Sequence, residues 1–311
     1  MNLFCKVLLA LTGLLLVMVF LGVLAVAVGV VKAPKLGEVK HGWGEVTKDS
    51  TQVITTVEMD NPNTFDINTR RLSFQADIFM NDVALGRGTL EEIHLPRGKS
   101  VSKVVTHIDN NRLPAWWASH LVNEEFTTVR IEARGIVHVL GRNFTIGAPD
   151  LTRTVQTDLL GKANSTDPQV LTQGPVNLLL KSRQLQWGEV TKSRTDITGS
   201  LLVRNISPYT LNVTSRGLLA RMNGILMAEA TATDTIALPP GQDVTVPFRA
   251  VMDNSRLLDW WPTHVNGGER TAFYLQLTAT LQGTGPDGAA FSQDAPLLVH
   301  QDQFVTHLLG E

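Results

Sequence analysis

Cysteine is all but absent from this chain of 311 residues: the sequence holds one, Cys5. It lies ahead of an apolar run, so the remainder carries no thiol and is compatible with an oxidising or a reducing compartment. No disulfide framework and no Cys-based metal site is available. Charge of one sign is equally scarce. Lys and Arg total 27, Asp and Glu 29, and the formal net charge is -2 with no basic run, which argues against a nucleic-acid partner because that needs clustered Lys and Arg. The eight histidines form no cluster, no second histidine stands four residues from His120 or His264, and no G-x-S-x-G elbow precedes a candidate serine. No Gly-rich loop has the spacing of a phosphate cradle. The catalytic classes recognisable from sequence are thereby removed, and no cofactor or metal is expected.

What is present is said twice. Trp43–Lys48 reads WGEVTK and so does Trp187–Lys192, 144 positions later, and the offset persists through Asp109, Arg112, Trp116, Trp117, His120 and Glu125 to Asp253, Arg256, Trp260, Trp261, His264 and Glu269. A period this long is one whole domain per copy, and each copy of about 130 to 145 residues buries a core of its own. The six tryptophans fall three to a copy.

Ahead of both copies runs Val7–Val31, uncharged and flanked by Lys6 and Lys32. As a helix it extends about 37 Å against a hydrocarbon core of about 30 Å, enough to cross with tilt. Ala25-Val26-Ala27 offers a signal-peptidase-like site, yet the apolar residues continue past it to Val31, which favours an uncleaved anchor. Flanking charges are nearly balanced, and four N-x-S/T sequons at Asn143, Asn164, Asn205 and Asn212 point to a single-pass protein of the cell membrane with its domains outside the cytoplasm. Partition of the chain follows: residues 1–34 as anchor, 35–161 as first domain, 162–178 as linker, 179–311 as second domain.

Both copies carry strand periodicity in the same phase. Val53, Thr55, Val57 and Met59 alternate with polar positions, as do Ile197, Gly199, Leu201 and Val203; Val104, Thr106 and Ile108 answer to Phe248, Ala250 and Met252, and Val129 and Ile131 to Phe273 and Leu275. Turn chemistry separates them at Asn61-Pro62-Asn63, Asn81-Asp82, Pro96-Arg97-Gly98 and Pro239-Pro240-Gly241. The fold expected is all-β: two tandem immunoglobulin/fibronectin type III-like antiparallel β-sandwiches after one N-terminal transmembrane helix. One helix per copy is expected, over Arg112–Asn123 in the first, with Asn111 or Ser255 as its cap.

The repeated Asp, Arg, Trp-Trp, His and Glu set is the one constellation with chemical interest, and its structural reading dominates. Asp109 and Arg112 tie a helix entrance, a tryptophan plugs the end of the sandwich, and His120 bonds locally. Adjacent helical residues point about 100° apart; the leading reading buries both rings between the helix, the sheet end and a loop, and a partly exposed ring would make Trp116, Trp117, Trp260 and Trp261 candidate contacts for a membrane, a lipid or a macromolecular partner.

Asn61-Pro62-Asn63-Thr64-Phe65-Asp66-Ile67, Leu72-Ser73-Phe74, Ile78–Gly86 and Ile93-His94-Leu95-Pro96 together resemble the late embryogenesis abundant group 2 family, also called the water-stress-and-hypersensitive-response (WHy) domain. The second copy departs from this pattern, with Asn205-Ile206-Ser207-Pro208-Tyr209 where the first has N-P-N. The resemblance implies a non-enzymatic role in desiccation response, with membrane or lipid association and no catalytic residues to carry over. Two alternatives stand beside it. One is a lipid-carrying module with an apolar groove, using residues such as Leu178–Leu180 or Leu218-Leu219; the other is a structural or adhesive cell-envelope protein, which expects both indoles of each pair to be buried.

Overall fold

A computed structural model describes residues 32, 35–69, 72–90, 93–139, 142–147, 151–285, 287–306 and 308. The apolar run Val7–Val31 lies outside them, as do Arg70-Arg71, Glu91-Glu92 and Ala148-Pro149. Among the described residues no helix is long and apolar enough to cross a membrane.

The first copy supplies strands β1 (Lys35–Val46), β2 (Ser50–Asn61), β3 (Ile67–Thr69), β4 (Leu72–Met80), β5 (Val83–Leu90), β6 (Ile93–Leu95) and β7 (Gly98–Asp109). A 3-10 turn, Asn110–Arg112, leads into helix α1 (Leu113–Val122), followed by β8 (Phe126–Val139), β9 (Arg142–Gly147) and β10 (Leu151–Gln156). The second supplies β11 (Gln169–Gln173), β12 (Val176–Val190), β13 (Arg194–Asn205), β14 (Leu211–Met222), β15 (Ile225–Ala232), β16 (Ile236–Leu238), β17 (Asp243–Asp253), helix α2 (Leu257–Asn266), β18 (Arg270–Thr284) and β19 (Ala290–Val305). The chain is thus mostly β-strand, as the periodicity predicts.

Two compact units result. One comprises residues up to Trp116 with Phe126–Val155 and Thr306–Glu311; the other comprises Trp117–Glu125 and Gln156–Val305. In the first unit the strands follow the order β1-β2-β7-β5-β4-β8-β10, with β9 on β8 and a separate β3-β6 pair. In the second the order is β11-β12-β13-β17-β15-β14-β18-β19, with β16 on β14. Among the described residues the strand ladders are antiparallel, and each path narrows at one place: β5 meets β7 at Gly86↔Ile108, Arg87↔His107 and Gly88↔Thr106, and β15 meets β17 at Ala228↔Met252. Gly86 and Gly88 are needed there, because a Cβ would lie 2.4 Å from the His107 carbonyl oxygen or from Thr106 Oγ1.

Equivalent positions are buried in both copies. Val53 and Ile197, Met59 and Val203, Ile108 and Met252, Leu113 and Leu257 are core residues 144 apart, so the face named by alternation is the one withdrawn from water. Registers repeat too: Trp43 pairs with Val53 and Trp187 with Ile197, each followed by an irregularity before Val46 or Val190.

The helix entrance differs from expectation. Asp109 and Asp253 are the caps, their carboxylates accepting the backbone N–H of Asn111 at 3.1 Å and of Ser255 at 2.9 Å. The reason is the intervening 3-10 turn, which shifts the first unsatisfied N–H groups one turn upstream of α1 and α2.

Two buried asparagine brackets, invisible to hydrophobic periodicity, also recur at 144. Asn110 accepts from Thr51 Oγ1 at 3.0 Å and donates to the Thr47 carbonyl at 3.0 Å, and Asn254 does the same with Thr195 at 3.1 Å and Thr191 at 2.8 Å. Asn61 donates to the carbonyls of Phe65 and Leu95, and Asn205 to those of Tyr209 and Leu238. Asn205 is fully buried with its amide so engaged, which removes it as a glycan acceptor in the folded chain.

Candidate functional site

The Trp-Trp segments are the place to look, and the structure buries all four indoles. Relative exposures are 9% for Trp116, 3% for Trp117, 2% for Trp260 and 2% for Trp261. Both rings of each pair are packed away, and the buried face is wide enough for two: on α2 the buried Leu257, Trp260, Trp261, His264 and Val265 span about 140° of the helix at 100° per residue.

Each pair is wired to a threonine. Trp116 Nε1 donates to Thr127 Oγ1 at 3.0 Å, and Trp260 Nε1 to Thr271 Oγ1 at 3.0 Å. His264 Nδ1 meets the same Thr271 hydroxyl at 2.8 Å, and its ring lies 4.9 Å from Trp260 and 5.8 Å from Trp261, centroid to centroid. Packed this way, His264 has its pKa pushed from 6.5 down to about 4, desolvation outweighing the attraction of Glu269.

In the second unit, the residues Trp117–Glu125 build a related but different cluster. Trp117 meets the Trp187 ring edge-on, with centroids 6.2 Å apart and planes at 85°. His120 Nε2 lies 2.9 Å from Thr157 Oγ1, and Thr157 Oγ1 donates to Glu125 Oε2 at 2.7 Å. The other Glu125 contacts are the Leu159 backbone N–H at 2.8 Å and Trp187 Nε1 at 2.8 Å. Burial lowers the His120 pKa to about 4, with Glu125 opposing the shift. Sequence reasoning placed His120 in a local bond; Thr157 is a partner 37 residues away.

Glu125 takes these three donors from a left-handed backbone, φ +59°, and Glu269 has φ +57°. Each is 8% exposed. A non-glycine residue there costs on the order of 1 kcal/mol, and for Glu125 the side-chain bonds offset it.

Asp109 takes no part in this cluster. It caps the helix entrance, accepting from the Asn111 backbone N–H and side-chain amide at 3.1 Å each, and meets Arg112 Nε at 3.4 Å. His120 and Glu125 converge on one hydroxyl rather than in series: with the Thr157 proton given to the carboxylate, His120 Nε2 must be the donor to that oxygen. A base in a relay needs a free lone pair toward the nucleophile, the reverse of this arrangement.

Beside the cluster, within the second unit, opens a cleft of about 630 Å³. Its walls include Glu124, Glu125, Asp158, Lys162, Trp187, Asp302 and Phe304, and Lys162 Nζ pairs with Asp302 at 2.8 Å. The apolar Leu159, Trp187, Phe304 and Val305 share this lining with the charged groups. Of the leucines named for an apolar groove, Leu178 and Leu218 are buried in the core of the unit and Leu179, Leu180 and Leu219 are half-buried. Among the described residues no group of three or more His, Cys, Asp or Glu is placed to hold a metal ion.

Comparison with known proteins bears on the first copy. A family model described as late embryogenesis abundant protein matches residues 56–148. Among solved structures, a protein from Archaeoglobus fulgidus is 26% identical, the match covering 42% of this chain and 98% of that one with a TM-score of 0.36. A protein from Arabidopsis thaliana solved in solution is 14% identical over 40% of this chain and 80% of that one, with a TM-score of 0.26. A putative beta-galactosidase from Bacteroides fragilis is 11% identical over 83% of this chain and 34% of that one, with a TM-score of 0.23. No curated protein matches.

Proposed function

We propose that this chain is a non-enzymatic protein of water-stress and desiccation response, of the WHy type, held at the cell membrane by Val7–Val31. It presents two domains of immunoglobulin or fibronectin type III type outside the cytoplasm and acts by binding membranes or envelope macromolecules. The observation that carries the reading is the match of residues 56–148 to the late embryogenesis abundant family. The wiring of the Trp-Trp ends supports its non-enzymatic part, since the side chains that tempt a chemist are spent on holding the fold. Burial of all four indoles is also what a purely structural envelope protein expects. The binding surface therefore lies elsewhere than on Trp116, Trp117, Trp260 or Trp261.

Two measurements test this. The full chain and a Leu15→Arg/Val17→Arg variant are expressed in a bacterial host; the parent is expected in the carbonate-resistant membrane fraction and the variant outside it, because charge inside a span is costly. Cells carrying the parent are expected to survive air-drying better than cells carrying an empty vector. Equal survival sinks the protective reading, and extraction of the parent by carbonate sinks the anchor.

A further inference from the structure

The turn after β2 does more than reverse the chain. Asn63 grips the backbone of Lys32 at two points: its side-chain carbonyl accepts the Lys32 N–H at 2.7 Å, and its amide donates to the Lys32 carbonyl at 2.7 Å. Asn63 is buried and is itself fixed by Asn61 Oδ1, which accepts its backbone N–H at 3.1 Å and its side-chain amide at 2.8 Å. Lys32 is the residue immediately after the uncharged run Val7–Val31. A paired hydrogen bond one residue past that run fixes position, which a flexible linker does not.

The second copy shows the same device in another setting. Ser207 Oγ accepts the Asn177 N–H at 3.0 Å and donates to its carbonyl at 3.3 Å, and the residue before Asn177 is Val176, a core residue of β12. Only in the first copy does the grip close on the end of an apolar run.

Around that grip an aromatic ring and several cations are exposed beside one carboxylate of the turn, Asp66, which accepts the Arg97 backbone N–H at 2.9 Å. Pro62, Thr64 and Phe65 are exposed, Phe65 by 45%, and the Phe65 carbonyl is held by Asn61 Nδ2 at 3.0 Å. Lys32, Lys35, Arg97 and Lys99 are exposed, and the ladders set both Lys35 and Lys99 against Asp60, one residue from the turn. An aromatic ring among cations suits the headgroup layer. Two Cα steps of 3.8 Å put Phe65 within about 8 Å of Asn63, comparable to the roughly 5–8 Å of headgroup region on one side of a bilayer.

Resting on the reading of Val7–Val31 as a membrane span, we infer that the turn Pro62–Asp66 seats in the headgroup layer of the bilayer, with Phe65 at its tip and Lys32, Lys35 and Arg97 around it. The first unit then stands on this end. The Asn81-Asp82 turn is at the other, because β5 begins where β7 runs out toward Asp109 and Ser50, about 36 Å along β2 from Asn61.

The native Cys5 is replaced by Ser, a single cysteine is placed at Phe65→Cys or Asp82→Cys, and each full-length protein carries a nitrobenzoxadiazole group in vesicles containing a third anionic lipid. Emission from position 65 is expected to rise several-fold over detergent-free buffer values and to be quenched by headgroup-proximal spin-labelled lipid, with position 82 unchanged. Adding Asn63→Ala is expected to reduce the quenching at 65 without changing the membrane-bound fraction. Equal, solvent-like signals at 65 and 82 in carbonate-resistant protein overturn the seated turn and leave the anchor standing. Protein that fails to remain with the vesicles overturns the anchor, and the seated turn with it.

Discussion

Lowering the pH from 7.5 to 5 is expected to destabilise the second unit by about 4 kcal/mol, through His120 and His264, both of which it contains. Each has its pKa lowered from 6.5 to about 4 by burial. A depressed folded-state pKa means the unfolded chain binds protons first as pH falls, so the contribution is complete above about 6.5 and gone below about 4. The difference of roughly 2.5 units corresponds to about 3 kcal/mol per histidine at full loss, and about 2 kcal/mol at pH 5, where the unfolded imidazole is protonated and the folded one is mostly neutral. Two sites sum to about 4 kcal/mol if they titrate independently, a large part of a typical domain stability of about 5–15 kcal/mol. The carboxylates act in a different window: Asp77, Asp243 and Asp302 are held below 3.8 by Arg or Lys partners, so their losses begin only as pH falls below that value. Urea unfolding of the full chain in a mild detergent, followed by tryptophan fluorescence at pH 7.5, 6 and 5, reads the effect directly. A His264→Gln variant is expected to be less stable at pH 7.5 yet to lose only about half as much on acidification. A midpoint unchanged between pH 7.5 and 5 in the parent would refute the reasoning, since it would mean the buried imidazoles accept protons without cost.

Further outcomes follow from the same wiring. Thr271→Val removes the hydroxyl that receives Trp260 Nε1 and meets His264; leaving a buried indole N–H unmet is expected to cost about 1–3 kcal/mol in urea unfolding. Glu125→Gln keeps the shape but offers one oxygen and one NH2 group to three donors, from Thr157, Leu159 and Trp187; a loss of about 1–3 kcal/mol is expected, and Trp187→Phe in the same background should add little beyond its own packing loss. Mass spectrometry of protein secreted from a glycosylating host is expected to find Asn205 unmodified, its amide being bonded to the Tyr209 and Leu238 carbonyls; a glycan there in folded protein would contradict the bracket.

Alternation made the strands legible because it was written twice. Val53 and Ile197 occupy the same register against Trp43 and Trp187, and one-sided burial forces the period of two. The caps lie two residues ahead of the expected Asn111 and Ser255 because the 3-10 segments leave no mark in hydrophobic spacing. Both asparagine brackets were open to detection from Thr51 and Thr195, Asn61 and Asn205, polar pairs kept at the repeat distance, yet polar residues at strand ends read as ordinary turns. Thr157 was out of reach: its link to Glu125 joins residues 32 apart with no periodic relation. Both indoles of a pair are buried because two neighbours 100° apart still fit within the buried face of α2, about 140° wide.

The two copies differ in a way that separates what the fold needs from what each domain does. Buried wiring recurs at 144: Thr51 with Asn110 and Thr195 with Asn254, Trp116 with Thr127 and Trp260 with Thr271. Among the ion pairs Asp109–Arg112 recurs as Asp253–Arg256, but the buried pairs do not. Asp77 is buried against Arg87 and Arg134, but the positions 144 later are Arg221, Thr231 and Thr278; Asp196 pairs with Arg249, where the first copy has Gln52 and Val105. A contact required to specify the fold must persist in both copies, because removing one partner of a buried polar pair leaves the other unsatisfied. The grip itself recurs, Asn63 on Lys32 and Ser207 on Asn177, while the residue at the tip differs, Phe65 against Tyr209. By that criterion the tryptophan pairs and the grip belong to the fold and the tip is left free to differ, which is why a probe at Phe65 is more informative than any substitution of Trp116 or Trp260.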